Sequence, residues 1–224
     1  MDEIEEIKKR YEARKTNLDL SKYDLSNFYI NSIVKERELL YKQIITKYFK
    51  HLTNLKVLEI GAGTGGNLTA FIRLGIPTKQ IVANELLKDR SDELKLNFPE
   101  ITILEGNALE INEKEKFDIV FQSTVFTSIL DDEFKKKLAQ KMLQITNEKG
   151  IILWYDFIYN NPRNKDVKGV TKKEIKSLFS SASKIHFYSA TLAPPIGRRI
   201  GKLYNLINKL FPFLRSHVIA VIEK

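Results

Sequence analysis

The sequence predicts an α/β fold in which a seven-stranded, mostly parallel sheet carries helices on both faces and the last strand runs in the opposite direction. Apolar runs recur along the chain with amphipathic helical segments between them, as in a sheet built from strand-helix-strand units. These runs are continuous rather than alternating, which indicates strands that are buried on both faces. With 224 residues, of which 43% are hydrophobic, the chain is large enough to bury a core of its own.

The first 50 residues are predicted to form a helical extension or lid. Ile4, Ile7 and Tyr11 have helical spacing, and a second helix follows a polar stretch and places Leu40 and Ile44 on one face. Residues 51–224 are predicted to form the main domain. Its first five strands are expected at 56–60, 80–84, 101–104, 117–122 and 150–155, with helices at 66–74, 89–97 and 131–146.

In the last third of the chain, Thr171 and Glu174 have the spacing of a capping box before a short helix. Two more strands are expected at 184–191 and 217–223, separated by an insertion at about 192–215. Within the insertion, one apolar stripe and several cations predict a single basic amphipathic helix. The stripe consists of Ile196, Ile200, Leu203, Ile207 and Leu210.

The net charge of +9 is concentrated at one end of the chain. Residues 163–224 contain thirteen Lys or Arg and three acidic residues, a local charge of +10, which leaves −1 for the first 162 residues. This asymmetry favours a negatively charged partner such as phosphate, nucleic acid or a membrane surface, although a solvated basic face explains it equally well.

Several classes of site and location are disfavoured by composition. The chain has no cysteine, so neither a disulfide framework nor a thiolate metal site is expected, and no metal site is predicted. The acidic start of the chain is unlike a secretory signal, and no run of about 18 apolar residues occurs. We therefore expect a cytoplasmic protein, with the inner face of the membrane as a place of contact if the insertion binds lipid.

A glycine-rich turn after the first predicted strand is the strongest functional signal. Residues 57–65 place Gly61, Gly63 and Gly65 where a strand turns into a helix, and Glu85 follows the next strand, where it can hold a ribose diol. Gly66 also completes a dinucleotide fingerprint, so an NAD-dependent oxidoreductase stays open as a second interpretation. Glu59 favours a different cofactor, because a carboxylate before the turn can receive an amino group.

Together with Gly106-Asn107-Ala108 after the third strand, this pattern resembles class I S-adenosylmethionine-dependent methyltransferases, whose fold is Rossmann-like. The resemblance implies that S-adenosylmethionine is the cofactor. It places Glu59 near the methionine ammonium group, Glu85 on the ribose and Asn107 on the adenine amino group, although Asn107 could instead cap its turn. The remaining cofactor-binding candidates are Gly61, Ala62, Gly63, Gly65, Leu86, Ala108, Gln122 and Ser123.

Four further segments resemble a narrower, bacterial subfamily that is associated with polysaccharide or glycolipid synthesis. They are residues 122–131, 154–157, 160–167 and 191–195. The resemblance implies O-methylation of a glycan-like or other small hydroxyl acceptor, which can be phosphate-bearing or lipid-linked. The sequence is also compatible with an RNA methyltransferase, for which nucleic acid is the less favoured partner, and with a non-catalytic cofactor-binding scaffold.

A hydroxyl acceptor needs a general base in addition to correct orientation. Asp156, at the end of the fifth strand, is the first candidate, and we expect Asp156→Asn to keep cofactor affinity and lose most turnover. His186 is the second candidate, although its position in a strand is as consistent with a structural role. The acceptor-binding candidates are Thr124, Tyr155, Arg163, Arg198 and Arg199. The two arginines of the insertion would receive a phosphate, whereas the insertion helix could instead contact an anionic bilayer or pack on the domain.

Overall fold

The computed structural model describes residues 2–15, 26–162 and 164–224. Within these ranges, two helices precede the sheet, α1 (Glu3–Lys15) and α2 (Phe28–Tyr48). Helix α2 begins at Asn27, whose side-chain oxygen accepts a hydrogen bond from the Tyr29 amide. This N-cap satisfies one of the amide groups that a helix start leaves unpaired.

The sheet has the strand order β3-β2-β1-β4-β5-β7-β6. Strands β1 to β5 are parallel, and β7 runs antiparallel between β5 and β6. The predicted seven-stranded sheet with a reversed last strand is therefore confirmed. Its strands are β1 (Val57–Ile60), β2 (Ile81–Glu85), β3 (Thr102–Glu105), β4 (Phe117–Ser123), β5 (Thr146–Phe157), β6 (Lys184–Leu192) and β7 (Arg215–Glu223).

Helices cover both faces of the sheet, and strand residues alternate between two core layers. On β5, the Trp154 side chain joins one layer and Tyr155 joins the other, which also contains Tyr41 of α2. This alternation decides where polar side chains at the strand ends can point. The covering helices are α3 (Leu68–Arg73), α4 (Lys88–Asn97), α5 (Asp132–Ile145) and α6 (Lys172–Leu178).

The insertion between β6 and β7 differs from the single helix that the sequence predicts. Helix α7 (Pro194–Ile200) ends at Gly201, whose φ is +49°, and a 3-10 turn leads into α8 (Tyr204–Leu210). The break turns Tyr204 into the core and leaves Leu203 and Leu210 of the predicted stripe exposed. The expectation of one continuous stripe is therefore wrong, because Gly201 takes a left-handed conformation that interrupts the helix.

Helix α7 packs closely on α2. A side chain at Gly197 would place its Cβ 2.2 Å from Cε2 of Tyr29, so only glycine permits this approach. Among the helices that the structure describes, none combines the length and the apolar character needed to span a membrane.

Candidate functional site

A cavity of about 320 Å³ lies at the carboxyl ends of β1, β2 and β4. Strands β1 and β4 are adjacent in the sheet, so the cavity lies where the strand order reverses, which is where open α/β sheets bind ligands. A wider groove of about 910 Å³ shares Tyr11, Leu86 and Asn107 with it. Among the predicted site residues, those that line the cavity are Gly61, Ala62, Gly63, Glu85, Leu86, Asn107, Ala108, Ser123 and Thr124.

The three glycines after β1 have different roles, although all have positive φ. A Cβ at Gly63 would meet no atom within 4 Å, so this glycine faces open space beside the cavity. A Cβ at Gly61 would lie 2.5 Å from Cγ2 of Val125, and one at Gly65 would lie 2.3 Å from Cε2 of Phe98. Gly65 therefore serves helix packing, and it does not line the cavity.

Two backbone amides hold the carboxylate of Glu85 at the end of β2. Its Oε2 accepts a hydrogen bond from the Gly63 amide at 2.7 Å, and its Oε1 accepts one from the Leu87 amide at 2.9 Å. Burial raises the pKa of Glu85, while these backbone amides and Arg90 act in the opposite direction. Each carboxylate oxygen can accept a further bond, which suits a ligand with two neighbouring hydroxyls.

Glu59 is fully buried beside the glycine turn, outside the cavity lining. Its Oε1 accepts a hydrogen bond from Nδ2 of Asn67 at 2.9 Å, whereas its Oε2 has no partner among the described residues. Burial raises the pKa of Glu59 to about 8. An unpaired buried carboxylate oxygen is costly, so the site is suited to a ligand that brings a cation or a donor.

Arg37 of α2 lines the cavity near this carboxylate. Its Nε atom is buried and has no hydrogen-bond partner among the described residues, and the same is true of the Tyr41 hydroxyl. Arg37 and Tyr41 interact electrostatically with each other and with Glu59. A ligand that carries both an ammonium group and a carboxylate would satisfy Glu59 and Arg37 together.

Asn107 and Gln122 both make local hydrogen bonds. The Asn107 Oδ1 accepts a bond from the Leu109 amide at 3.0 Å, so Asn107 caps its turn and also lines the cavity. Gln122 is fully buried outside the cavity lining, and its Oε1 accepts a bond from the Val125 amide at 3.0 Å. Gln122 therefore stabilises the loop after β4 through this hydrogen bond.

Asp156 lies outside the cavity lining and is fully buried on the α5 side of the sheet. The Thr127 hydroxyl donates a hydrogen bond to Oδ1 of Asp156 at 2.7 Å, and Gln122 Nε2 lies 3.4 Å from Oδ2. Burial raises the pKa of Asp156 to about 7. These contacts tie Asp156 to the loop that carries Thr124, a cavity residue with a φ of +59°.

The structure does not bring His186 to the cavity. Its backbone pairs with Val221, which in turn pairs with Leu153, three residues before Asp156 on β5. At roughly 3.3 Å per residue, His186 lies about 10 Å back from the strand ends. The His186 Nε2 is 3.1 Å from a carboxylate oxygen of Glu223, which indicates a structural role.

His217 is the histidine that lies at the carboxyl end of β5, and sequence reasoning missed it. Its ring stacks on Tyr155 with 5.2 Å between centroids, and burial lowers the pKa of His217 to about 4. The guanidinium of Arg37 lies 5.0 Å from the centroid of the same Tyr155 ring. No local motif marks His217, because its place depends on the antiparallel register between β5 and β7.

The acceptor candidates are spread over several places. Thr124 lines the cavity, and Tyr155 lies buried with its hydroxyl 3.0 Å from Oγ1 of Thr191, whose φ is +54°. Arg198 and Arg199 are exposed on α7 and do not line the cavity. Arg163 lies outside the residues that the structure describes.

Helix α1 covers the cavity with Ile4, Ile7 and Tyr11. Arg10 donates a hydrogen bond to the Ser128 carbonyl at 3.1 Å, and Glu3 accepts one from the Leu130 amide at 2.8 Å. These contacts join the helix to the loop after β4. The sequence predicted the helix, but its attachment to this loop is a tertiary contact between distant residues that no local pattern contains.

Part of the sheet region, from β1 to the start of β5, is similar in sequence to a known domain family. Residues 57–150 match the family described as "Methyltransferase domain". A similar curated protein is the malonyl-[acyl-carrier protein] O-methyltransferase of Calditerrivibrio nitroreducens, which is 36% identical over 115 residues. The match covers 51% of this chain and 42% of the relative, so the chain spans less than half the length of that protein.

Solved structures share the fold at low sequence identity. The magnesium protoporphyrin IX methyltransferase from Synechocystis PCC 6803, with bound S-adenosylmethionine, superimposes with a TM-score of 0.65 at 10% identity, over 100% of this chain and 98% of that one. A S-adenosylmethionine-dependent methyltransferase from Archaeoglobus fulgidus gives a TM-score of 0.58 at 16% identity, over 88% of this chain and 100% of that one.

The glycine turn, Glu85 and the unpaired atoms of Glu59 and Arg37 fit such a cofactor on geometry alone. The family match covers the strands that carry three of these four features. Residues 57–150 therefore match a methyltransferase domain, and the sheet has the fold of S-adenosylmethionine-dependent methyltransferases of known structure.

Proposed function

We propose that this protein transfers the methyl group of S-adenosylmethionine to an oxygen atom of a small acceptor. The observation that carries the proposal is the pair of unpartnered buried atoms, Glu59 Oε2 and Arg37 Nε, beside the glycine turn. Bound S-adenosylmethionine supplies a methyl group on a sulfonium, which is transferred by in-line displacement and depends mainly on orientation and exclusion of water.

The residues that would hold the cofactor have separable roles. Glu59 and Arg37 would receive the ammonium and carboxylate groups of its methionine part, because an acidic side chain and a guanidinium lie in one buried region. Glu85 would accept hydrogen bonds from the ribose hydroxyls. Asn107 and Leu86 would line the adenine end, where Tyr11 closes the cavity from α1. In this proposal, helix α1 acts as a lid over the cofactor cavity.

The acceptor proposed from the sequence is a hydroxyl of a glycan-like or other small molecule. Thr124 supports an acceptor position after β4, since it lines the cavity with a strained backbone of a kind that is common at functional sites. A phosphate-bearing or lipid-linked acceptor would reach Arg198 and Arg199 on α7, at the protein surface. The same proposal includes a cytoplasmic location and peripheral contact with a membrane.

A carboxylate acceptor is the second candidate, and the cavity lining supports it. Among the described residues that line the cavity there is no histidine, and Glu85 is the only carboxylate. A hydroxyl acceptor would therefore lack an adjacent general base, whereas a carboxylate is already ionised at neutral pH. The name of the curated relative gives its substrate as a malonyl group on a carrier protein, and a malonyl thioester has one free carboxylate.

The two acceptor classes can be separated by the chemistry of the product. The protein is incubated with methyl-labelled S-adenosylmethionine and a small-molecule extract, and the labelled product is treated with mild alkali. A methyl ester releases labelled methanol, whereas a methyl ether keeps its label. With total RNA in place of the extract, acid-precipitable label that ribonuclease makes acid-soluble would favour an RNA acceptor. Cofactor binding without any transfer would favour a scaffold.

A further inference from the structure

The outer side of the insertion carries a group of exposed apolar side chains, which we call the apolar ridge. It consists of Leu203, Leu206, Leu210, Phe211 and Phe213, with exposed fractions of 55, 54, 58, 40 and 76%. These residues are close together in the chain, and Phe211 and Phe213 contact each other edge to face with 5.9 Å between ring centroids. Such clustering on a surface marks a site of interaction.

The ridge is not needed to hold the insertion on the domain, because the opposite side of α8 does this. Tyr204 is fully buried, and its hydroxyl donates a hydrogen bond to Glu36 of α2 at 2.7 Å. Asn208 accepts a bond from Nε of Arg215 at 2.8 Å. The helix is therefore attached through its inner side and exposes a second apolar side.

The surroundings of the ridge are cationic. Residues 194–215 contain five Lys or Arg and no acidic residue. One of them, Arg215, is used internally, since it donates hydrogen bonds to Asn208 and to the Ser189 carbonyl. The four others are exposed at the ridge or on the preceding helix, namely Arg198, Arg199, Lys202 and Lys209.

We infer that the apolar ridge and its cations bind the surface of an anionic lipid bilayer. Apolar side chains enter the headgroup boundary while the cations stay at the level of the lipid phosphates, which is the arrangement of helices that lie in a membrane interface. The Phe213 side chain is highly exposed and therefore protrudes from the surface. A protruding apolar side chain suits insertion into lipid, whereas a protein that receives a partner helix offers a groove. This inference rests on the membrane contact included in the proposed function and assigns that contact to one surface, and it does not depend on the acceptor or on methyl transfer.

The test is sedimentation of the full chain with vesicles of phosphatidylcholine alone and of phosphatidylcholine with about 30% phosphatidylserine. We expect binding only to the anionic vesicles. Leu206→Ala with Phe213→Ala should lower the partition coefficient about tenfold or more, because less apolar area enters the bilayer. Lys202→Glu with Lys209→Glu should also lower it about tenfold or more, because the charge is reversed beside the lipid phosphates.

Matched controls separate the ridge from general effects. Leu96→Ala removes a leucine of 81% exposure on α4, and Lys42→Glu with Lys137→Glu makes the same change in net charge elsewhere. Both controls should bind vesicles like the wild type, and all variants should keep cofactor affinity by calorimetry. A Phe213→Trp variant should show a blue-shifted emission on anionic vesicles. The inference is overturned if the wild type does not sediment with anionic vesicles, or if the ridge variants and the controls lose binding equally.

Discussion

At the residue scale, Glu59 is buried, and its Oε2 has no hydrogen-bond partner in the part of the chain that the structure describes. Its raised pKa of about 8 means that the free protein keeps Glu59 protonated at pH 7. The native state then binds more protons than the unfolded state, where the pKa is about 4.5, so this contribution to stability is full below pH 4.5 and is lost as the pH rises through about 8. A cationic ligand beside Glu59 would reverse this preference and favour the ionised form.

We predict that S-adenosylmethionine binding at pH 7 releases about one proton from Glu59, and that affinity increases as the pH rises toward 8. Calorimetry in buffers of different ionisation enthalpy measures the release. Glu59→Gln should abolish it. Asp156→Asn is the control, because Asp156 also has a raised pKa, of about 7, but both of its oxygens have hydrogen-bond partners, Thr127 and Gln122. Equal release from both variants would contradict the assignment of the proton to Glu59.

Glu85→Gln should raise the dissociation constants of S-adenosylmethionine and S-adenosylhomocysteine by about 10- to 100-fold, equivalent to about 1.5–3 kcal/mol for hydrogen bonds to a charged group. The amide nitrogen cannot accept the bond that Gly63 or Leu87 donates to the carboxylate. Glu105→Gln is the matched control, since Glu105 pairs with Glu85 in the sheet but bonds to Lys95. Calorimetry that shows similar losses in both variants would argue against a specific role for Glu85.

At the scale of elements, the loop after β4 connects the cavity to the buried end of β5. The Thr127 hydroxyl donates a hydrogen bond to Asp156, so Thr127→Val and Asp156→Asn disturb the same hydrogen bond. We expect both to lower kcat by a similar, roughly fivefold factor, which is the effect of about 1 kcal/mol. A general base at Asp156 would instead make Asp156→Asn far more damaging than Thr127→Val. Steady-state kinetics on the two variants separates these outcomes.

Helix α1 provides the second prediction at this scale. Arg10 pairs with Glu3 and donates to the Ser128 carbonyl, so Arg10→Ala should loosen the helix over the cavity and raise the cofactor dissociation rate about fivefold. Lys9→Ala on the outer face of the same helix is the control, because its pair with Glu6 is exposed. Stopped-flow measurement of cofactor release compares the two. Identical rates would show that α1 does not act as a lid.

The insertion shows where periodicity fails as a guide to an element. Ile196, Ile200, Leu203 and Ile207 have helical spacing, which predicts one helix. Gly201 nevertheless ends α7 and changes the direction of the next turn, so Leu203 is exposed while Tyr204 is buried. A glycine inside a helical pattern lowers helix stability, but the sequence does not say whether the tertiary structure uses it as a break.

At the scale of the whole molecule, the sheet could be predicted because each strand is a local apolar run. Residues of the candidate cofactor site could be expected to lie together because they follow strand ends. Gly63 and Glu85 meet wherever β1 and β2 pair in parallel. His217 and Arg37 could not be placed in this way. The position of His217 at the end of β5 depends on the register of β7, and the position of Arg37 at the cavity depends on how α2 packs, which are tertiary outcomes.

The last prediction concerns the stability of the complete domain. A ligand that binds only the folded state at about a hundredfold excess over its dissociation constant stabilises that state by about 2.7 kcal/mol. For a domain of this size the unfolding midpoint should rise by about 5–10 °C with S-adenosylmethionine or S-adenosylhomocysteine, measured by scanning calorimetry. NADH should cause no shift, because it has no ammonium group to place beside Oε2 of Glu59. A shift with NADH alone would contradict the assignment of the cofactor. The Glu85→Gln variant should lose most of the shift that S-adenosylmethionine causes, since calorimetric binding and thermal stabilisation both depend on the Glu85 carboxylate.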